Sequence, residues 1–165
     1  MNARLRSAFI VVLLVIFDRV TKLAIQRDFS AFDIFPVIPG ILTIVHAENP
    51  GAAFSILADA SPLIRKVVLI GLSTCVLAIV GVLLWRSPNS PSGIPESLMR
   101  VALTLVFAGA LGNLIDRVFR GTVTDFIQVF IGSYEFPSFN VADSAITIGA
   151  GLLVIDLLRN RKTTN

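Results

Sequence analysis

The sequence predicts a mainly α-helical membrane protein with four transmembrane helices and a small extracytoplasmic β-sheet. Hydrophobic residues make up 55% of the 165 residues and charged residues only 15%, and the mean hydropathy is +0.82. Soluble domains carry about 25% charged residues. A chain this short also has too little interior to bury so much apolar surface. We therefore expect lipid to be the solvent.

Four apolar stretches approach the roughly 20 residues that a helix needs to cross a bilayer. We expect one integral membrane domain over residues 1–165, with spans at about residues 8–25, 67–85, 98–115 and 141–158. The second span carries no charge and is the clearest, whereas the first contains Asp18, Arg19 and Lys22. A stretch rich in Pro and Ser at residues 87–95 cannot continue a helix and separates the second span from the third.

The N-terminus also resembles a cleavable signal peptide, because Arg4 and Arg6 precede an apolar run. No small-residue cleavage site follows that run, and the apolar character resumes at Val20. This pattern favours a first span that is retained.

The positive charges give a weak prediction of orientation. With both termini in the cytoplasm, the 14 Lys and Arg residues divide equally between the two sides. Three of the outer ones, Arg19, Lys22 and Arg117, lie within spans or at their ends, where partners can hold them. The flanking loops therefore favour cytoplasmic termini. Segments of about residues 26–66 and 116–140 would then face outward.

The first outer segment predicts a small sheet on the membrane surface. Residues 35–45 combine turn residues with an apolar run rich in β-formers. Pro50 drives Asn49 into an extended conformation, and Gly51 permits positive φ, so residues 49–54 (NPGAAF) predict a turn. A plain surface turn explains this motif as well as a functional role does.

Asp125 and Asp143 are the candidate catalytic residues. Ionised carboxylates at the centre of a membrane helix cost about 2.5–3.5 kcal/mol each, so a chain this apolar has little structural use for them. Gly132 and Pro137 interrupt the interval between them, which allows the chain to turn back and bring the two side chains together. One of two carboxylates that share a site keeps a proton while the other acts as base, so the pair can activate water. The alternative is that these aspartates cap helices or pair with nearby arginines.

Other reaction chemistries fit the sequence less well. His46 is the only histidine, so the two-histidine zinc motif is absent, and a Ser/His pair would have to recruit His46 from the outer connection. We expect no cofactor and no metal ion, and we expect Cys75 to be a buried small apolar side chain. The net charge is only +3, without a basic run interleaved with aromatic residues, so nucleic acid is not an expected partner.

Five sequence blocks together resemble the lipoprotein signal peptidases, also called signal peptidase II, which are bacterial membrane aspartyl proteases. In the family's order they are residues 18–22 (DRVTK), 49–54 (NPGAAF), 112–117 (GNLIDR), 123–126 (VTDF) and 139–143 (FNVAD). The resemblance implies four transmembrane helices with a small extracytoplasmic sheet that cradles the substrate. It also implies cleavage of prolipoprotein signal peptides just before a diacylglyceryl-modified cysteine.

The same resemblance implies a set of site residues. The catalytic pair would be Asp125 and Asp143. The residues that line the substrate site would be Asn49, Gly51, Asn113, Arg117 and Asn140.

Helical spacing suggests a role for some of these residues without the family. Asn113, Asp116 and Arg117 share one helix face near the outer membrane edge. Asn113 and Arg117 could bind a substrate carbonyl or hold a carboxylate in its charged form. We expect Asp116 to orient Arg117 or Arg120 and to support the site rather than to take part in catalysis.

Two further roles follow from positions at helix ends and turns. Asn140 lies just before the fourth span, where it could cap the helix, position Asp143, or do both. Asp18 and Lys22 are spaced i, i+4 and could neutralise each other inside the bundle as a supporting pair.

These interpretations predict a multi-pass monomer in the bacterial cytoplasmic (inner) membrane, with cytoplasmic termini and an active site at the outer face. Its partners would be membrane lipid and diacylglyceryl-modified prolipoproteins. A small transporter with a proton relay is an alternative, although Asp125 and Asp143 gather at one membrane edge and no inverted repeat appears. A non-enzymatic assembly factor and a metal-dependent hydrolase are the others, since outer loops bind partners and carboxylates bind hard cations.

Overall fold

The computed structural model describes residues 2–51, 61–87 and 98–162. Within them lie four helices, α1 (Ala3–Asp28), α2 (Pro62–Arg86), α3 (Leu98–Phe119) and α4 (Val141–Lys162), and four strands, β1 (Ile34–Ile38), β2 (Leu42–Asn49), β3 (Val123–Ile131) and β4 (Tyr134–Glu135). Helix α3 is central and packs against each of the other three helices. The second half of the predicted 49–54 turn and nearly all of the predicted 87–95 break lie outside the described residues.

Three of the described helices are long and apolar enough to cross a membrane by length and composition, namely Pro62–Arg86, Leu98–Phe119 and Val141–Arg159. Helix α1 is not among them, although its 26 residues exceed the length required. Asp18, Arg19 and Lys22 interrupt its apolar sequence. The prediction of four apolar spans is therefore corrected to three, with α1 as a long helix of mixed polarity.

The pattern of burial on α1 is the reverse of that in a soluble helix. Its buried positions include Ser7, Asp18 and Lys22, whereas Phe9 and Phe17 are more than half exposed. Apolar side chains directed away from a polar interior are expected where the surroundings are lipid, because lipid does not drive them inward. Helix α1 can therefore carry charged residues on its buried face and apolar residues on its exposed face.

Helix α2 corrects one prediction. Cys75 is exposed, not buried. The sequence of α2 is apolar all round, so it contains no polar face from which the buried side could be deduced. The side that packs on α3 is marked only by Leu69, Leu77 and Val80.

The strands form one antiparallel sheet in the order β1-β2-β3-β4. Strands β1 and β2 lie where a sheet was predicted, whereas β3 and β4 lie within residues 116–140, for which no strand was predicted. Gly40, with φ of 76°, lies in the turn between β1 and β2, and Gly121, with φ of 81°, leads from α3 into β3. The pairing of β2 with β3 sets Ala47 opposite Asp125 and Asn49 opposite Val123. The sheet therefore brings the end of β2 beside the first half of β3.

Close contact between helices fixes the start of α4. A Cβ atom on Gly109 of α3 would overlap the carbonyl oxygen of Ala142, so only glycine allows this approach. A Cβ atom on Gly112 would lie 2.8 Å from Oδ2 of Asp18. The first turn of α4 is thereby held against α3 and the charged part of α1.

Candidate active site

Asn140 lies between the two candidate catalytic aspartates. Its Nδ2 donates to Oδ1 of Asp125 over 2.7 Å, and its backbone N–H donates to Oδ2 of Asp143 over 3.2 Å. Its Oδ1 accepts from the backbone N–H of Asp143 over 2.9 Å, which is the usual bond of a helix N-cap. One asparagine therefore caps α4 and also links the β3 carboxylate to the α4 carboxylate.

Asp125 is almost completely buried, with 3% of its surface exposed. Nδ2 of Asn49 donates to its Oδ2 over 3.0 Å, and the backbone N–H of Gly51 donates to Oδ1 of Asn49 over 3.0 Å. Burial raises the pKa of the Asp125 carboxyl to about 6, and the charge of Asp143 also raises this pKa, against hydrogen bonds from Asn49 and Asn140 that lower it. The Asp125 carboxyl can therefore hold its proton up to about pH 6.

Asp143 lies in the first turn of α4, next to the positive end of the helix dipole. Nδ2 of Asn113, on α3, donates to its Oδ1 over 2.7 Å. The ammonium of Lys22 donates to Oδ1 of the same asparagine over 3.0 Å. Asn113 therefore links Lys22 of α1 to the Asp143 carboxylate of α4.

A buried cluster of ion pairs supports this side of the site. Lys22 has no exposed surface and lies 2.8 Å from Oδ2 of Asp18 and 2.7 Å from Oδ2 of Asp116. Arg19 lies 2.7 Å from the other oxygen of Asp116. Oδ1 of Asp18 accepts from the backbone N–H of Ala142 over 2.9 Å, so the cluster is attached to the start of α4.

A cavity of about 1210 Å³ opens beside the two aspartates. The predicted site residues that line it are Asn49, Gly51, Asn113, Arg117, Asp125 and Asp143. Four predicted site residues are buried and do not line the cavity, namely Asn140, Asp18, Lys22 and Asp116. Its apolar walls include Phe136, Phe139, Ile146 and Ile148. The cavity is large enough for an extended peptide segment with an apolar side group.

Arg117 is half-buried at this cavity. Its charge interacts with Asp143 and also with Asp125 and Asp116. Its buried Nε has no hydrogen-bond partner among the described residues. A buried donor without a partner is costly, so a group that enters the cavity has a reason to bind here.

Sequence reasoning missed Glu48, which precedes Asn49 on β2 and lines the same cavity. Its carboxylate accepts from Thr122 over 2.5 Å, from Thr124 over 2.9 Å and from Arg120 over 3.0 Å. Burial raises the pKa of Glu48, but hydrogen bonds with Thr122, His46 and Thr124 and the charge of Arg120 outweigh burial and hold that pKa below its ordinary value. The signal in the sequence was an acidic residue immediately before the Asn49 motif, at the polar end of β2.

Two neighbours join this cluster to α1. Nε2 of His46 lies 3.1 Å from Oε1 of Glu48, and its Nδ1 lies 2.8 Å from the carbonyl oxygen of Phe29. Gln26 donates to the hydroxyl of Thr124 over 2.6 Å. The β2–β3 pair is therefore attached to the end of α1 immediately beside Asp125.

Among residues 2–51, 61–87 and 98–162, no three side chains of His, Cys, Asp or Glu converge as a metal-ligand set. That the site works without a metal ion stays a prediction.

The profile of one protein family matches most of the chain. This family is described as signal peptidase (SPase) II, and the match covers residues 10–159. The chain belongs to the signal peptidase II family. The resemblance drawn from the five sequence blocks is thus confirmed, and with it membership of a family of peptidases.

Curated relatives carry the same family name. The lipoprotein signal peptidase of Staphylococcus aureus (strain bovine RF122 / ET3-1) is 42% identical over 154 residues, which cover 93% of this chain and 88% of the relative. That of Geobacter sulfurreducens is 40% identical, with 89% of this chain and 88% of the relative covered. That of Solibacter usitatus is 37% identical, with 98% and 95% covered.

Two solved structures of bacterial membrane enzymes share the fold of this signal peptidase II family member. One, determined by the in meso method at 2.3 Å resolution, superposes with a TM-score of 0.84 at 38% identity, over 97% of this chain and 92% of the other. The second, determined at 1.9 Å, gives 0.79 at 40% identity, over 93% and 92%. Together with the three apolar helices, these structures identify the chain as a multi-pass membrane protein.

Proposed function

We propose that this protein is an aspartyl endopeptidase that removes signal peptides from prolipoproteins by cleaving just before a diacylglyceryl-modified cysteine. The single observation that carries the proposal is the link from Asp125 through Asn140 to Asp143 at the edge of one cavity. The names of the curated relatives support the substrate class.

In this proposal Asp125 holds the proton and Asp143 acts as the base. Asp143 takes a proton from water while the water oxygen bonds to the scissile carbonyl carbon, and Asp125 gives its proton to the carbonyl oxygen. The C–N bond of the resulting tetrahedral intermediate then breaks. The leaving nitrogen takes the proton from Asp143, and Asp125 regains one from the hydroxyl group, so both carboxyls return to their starting states. The raised pKa of Asp125 supports this assignment.

Arg117 and Asn49 would position the substrate. The buried Nε of Arg117 is a donor without a described partner, and a peptide carbonyl in the cavity would satisfy it. Asn49 lines the same cavity and already donates to Asp125, so it would hold that carboxyl while the substrate binds. Apolar walls would receive the acylated cysteine, and an anchored chain loses less entropy on reaching the transition state.

We further propose that α1 is a fourth span of a single membrane domain, although its composition is less apolar than that of the other three. Its Arg19 and Lys22 are paired with Asp18 and Asp116, so two positive and two negative charges meet inside the bundle. Paired charges that face a bundle interior are tolerated in membranes. The protein would then be a monomer of the cytoplasmic membrane, with cytoplasmic termini and the cavity at the outer face.

The test is cleavage of a diacylglyceryl-modified precursor by the purified protein in lipid nanodiscs, beside the unmodified precursor. Asp125→Asn and Asp143→Asn should each lower turnover by at least about a hundredfold, because general acid–base catalysis contributes roughly 10²–10⁴. Asp28→Asn is the matched control, since Asp28 is an exposed carboxylate at the end of α1. Near-full turnover in either site variant would contradict the proposal.

Two further arms of this experiment separate the alternative interpretations. Loss of cleavage on addition of a chelator would indicate a metal-dependent hydrolase. A proton or solute flux in proteoliposomes without any cleavage would indicate a transporter, and partner binding without cleavage would indicate an assembly factor.

A further inference from the structure

A second concavity, of about 420 Å³, adjoins the cavity that holds the aspartates. Its charged lining residues are Arg65 and Lys66 at the start of α2 and Arg120 just after α3. Pro50 and Arg65 line both concavities, so the two share a wall. We call this second concavity, lined also by Pro62, Gly121 and Thr122, the basic pocket.

Two cations of the basic pocket lie at the end of α2 where the helix dipole is positive and therefore repels them. The first turn of α2 contains no acidic residue, and Arg65 and Lys66 lie close to this positive end of the helix dipole. Cations stabilise a helix at its C-terminal end and are repelled at its N-terminal end. None of the described residues that line the basic pocket is acidic, although Glu48 pairs with Arg120 from outside it over 3.0 Å. An anion in the basic pocket would relieve this repulsion.

The basic pocket offers a reason why half of the Lys and Arg residues fall on the proposed outer side, where membrane proteins usually carry few. Ion pairs join Arg19 and Lys22 to buried aspartates and Arg27 to Asp28. Those positive charges are therefore accounted for by ion pairs within the protein. Arg65 and Arg120 of the basic pocket have partners as well. Together with Lys66 they still converge on one space at the end of the helices nearest the sheet.

We propose that the basic pocket binds the phosphate group of an anionic phospholipid from the leaflet on the side of the sheet. Basic pockets between membrane helices are known to take acidic lipid headgroups. A lipid is favoured over free phosphate because the exposed face of α2 continues from the basic pocket as apolar side chains. Leu63 is 72% exposed and Val67 is 61% exposed, and they offer a surface along which acyl chains can lie.

The shared wall gives the bound lipid a definite place relative to the reaction. Arg65 contacts both concavities, so a phosphate in the basic pocket lies at the rim of the cavity that we propose receives the substrate. Neither Asp125 nor Asp143 lines the basic pocket, so lipid binding does not require the peptidase chemistry.

The experiment counts lipids bound to the purified full chain by native mass spectrometry during titration with dioleoylphosphatidylglycerol or dioleoylphosphatidylcholine. We expect the anionic lipid to bind at least about fivefold more tightly. Lys66→Gln should lower that affinity about fivefold, which corresponds to about 1 kcal/mol for one cation near an anionic surface. Lys66→Arg, which keeps the charge, should restore it.

Arg27→Gln is the matched control, because Arg27 is an exposed cation on the same side of the protein whose side chain is 87% exposed. Its lipid affinity should equal that of the wild type. An equal loss in this control, or equal binding of the two lipids by the wild type, would overturn the proposal. Displacement of the lipid by millimolar inorganic phosphate would show that the ligand is a soluble phosphate anion and that the lipid assignment is wrong.

The Asp125→Asn variant separates this proposal from the proposed peptidase activity. It should lose turnover and keep the preference for the anionic lipid. A variant that loses both would show that the lipid site depends on the active site, which would contradict an independent basic pocket.

Discussion

The ammonium of Lys22 donates to the amide oxygen of Asn113 over 3.0 Å. The amide nitrogen of Asn113 in turn donates to Asp143 over 2.7 Å. An amide accepts at one end and donates at the other, so Lys22 determines which end faces Asp143. Lys22 of α1 thereby orients the Asn113 amide, which in turn donates to the Asp143 carboxylate of α4.

Replacement of Lys22 by Met should destabilise the protein severely. It would leave Asp18 and Asp116 close together in a buried site with less positive charge, and breaking a buried ion pair typically costs about 3–5 kcal/mol. The measurement is thermal unfolding in detergent, with the exposed Arg27→Gln as control. An unchanged unfolding temperature for Lys22→Met would show that the cluster carries little of the stability.

Replacement of Asn140 by Ala should remove both the helix cap and the link between the aspartates. Loss of an N-cap costs about 0.5–2 kcal/mol. Asn2→Ala is the matched control, because Asn2 caps α1 through a 2.9 Å bond to the N–H of Leu5, far along the chain from the cavity. Both variants should unfold at somewhat lower temperature, but only Asn140→Ala should lose turnover. Equal turnover in the two would argue against a positioning role for Asn140.

The raised pKa of Asp125 predicts a pH dependence of stability. The folded protein binds this proton up to about pH 6, whereas the ordinary carboxyl releases it near 3.8. Between these values the folded state binds more protons than the unfolded state, so the free energy of unfolding falls as the pH rises from about 4 to 6. The check is the unfolding temperature against pH for the wild type and for Asp125→Asn, in which this decline should be smaller. Identical profiles would contradict the shift.

The same protonation state should govern turnover. If Asp125 must be protonated, kcat for the acylated precursor should decline as the pH rises above the pKa of Asp125 in the complex with substrate. The pH–rate profile of the wild type measures this decline, with the unfolding temperature followed in parallel to exclude loss of fold. A rate that increases steadily through this range would reverse the assignment of acid and base.

Glu48→Gln should loosen the sheet beside Asp125. It would weaken the bonds from Thr122, Thr124 and Arg120, and a net loss of about 0.5–1.5 kcal/mol is typical of one hydrogen bond. The pKa of Glu48 is lowered in the fold, so its contribution to stability is present at neutral pH and is lost as the pH falls. Unfolding temperatures at about pH 7 and pH 4 measure the effect, with the exposed Asp33→Asn as control. A difference that is larger at the lower pH would have the wrong sign.

Much of the fold followed from sequence patterns whose physical basis is local. Apolar length predicted α2, α3 and α4, and the run of β-formers with turn residues predicted β1 and β2 but not β3 and β4. Helical spacing suggested that Asp18 meets Lys22, and they lie 2.8 Å apart. Gly132 and Pro137 allowed the chain reversal that brings Asp143 back towards β3.

The parts that escaped prediction depend on contacts between distant segments. Cys75 was placed on the wrong side of α2, because a helix that is apolar all round has no periodic signal in lipid. The role of Glu48 required the register of β2 on β3 and the position of Arg120, neither of which can be deduced from one strand. That Asn140 bonds to both aspartates likewise depends on where α4 begins against α3.

The two aspartates belong to different parts of the fold. Asp125 lies on the sheet, whereas Asp143 lies on a helix that packs closely against α3 at Gly109. A tilt of the sheet relative to the helices would lengthen the bond from Asn140 to Asp125. We therefore expect the spacing of the two carboxyl groups to depend on how firmly the sheet is held against the helices.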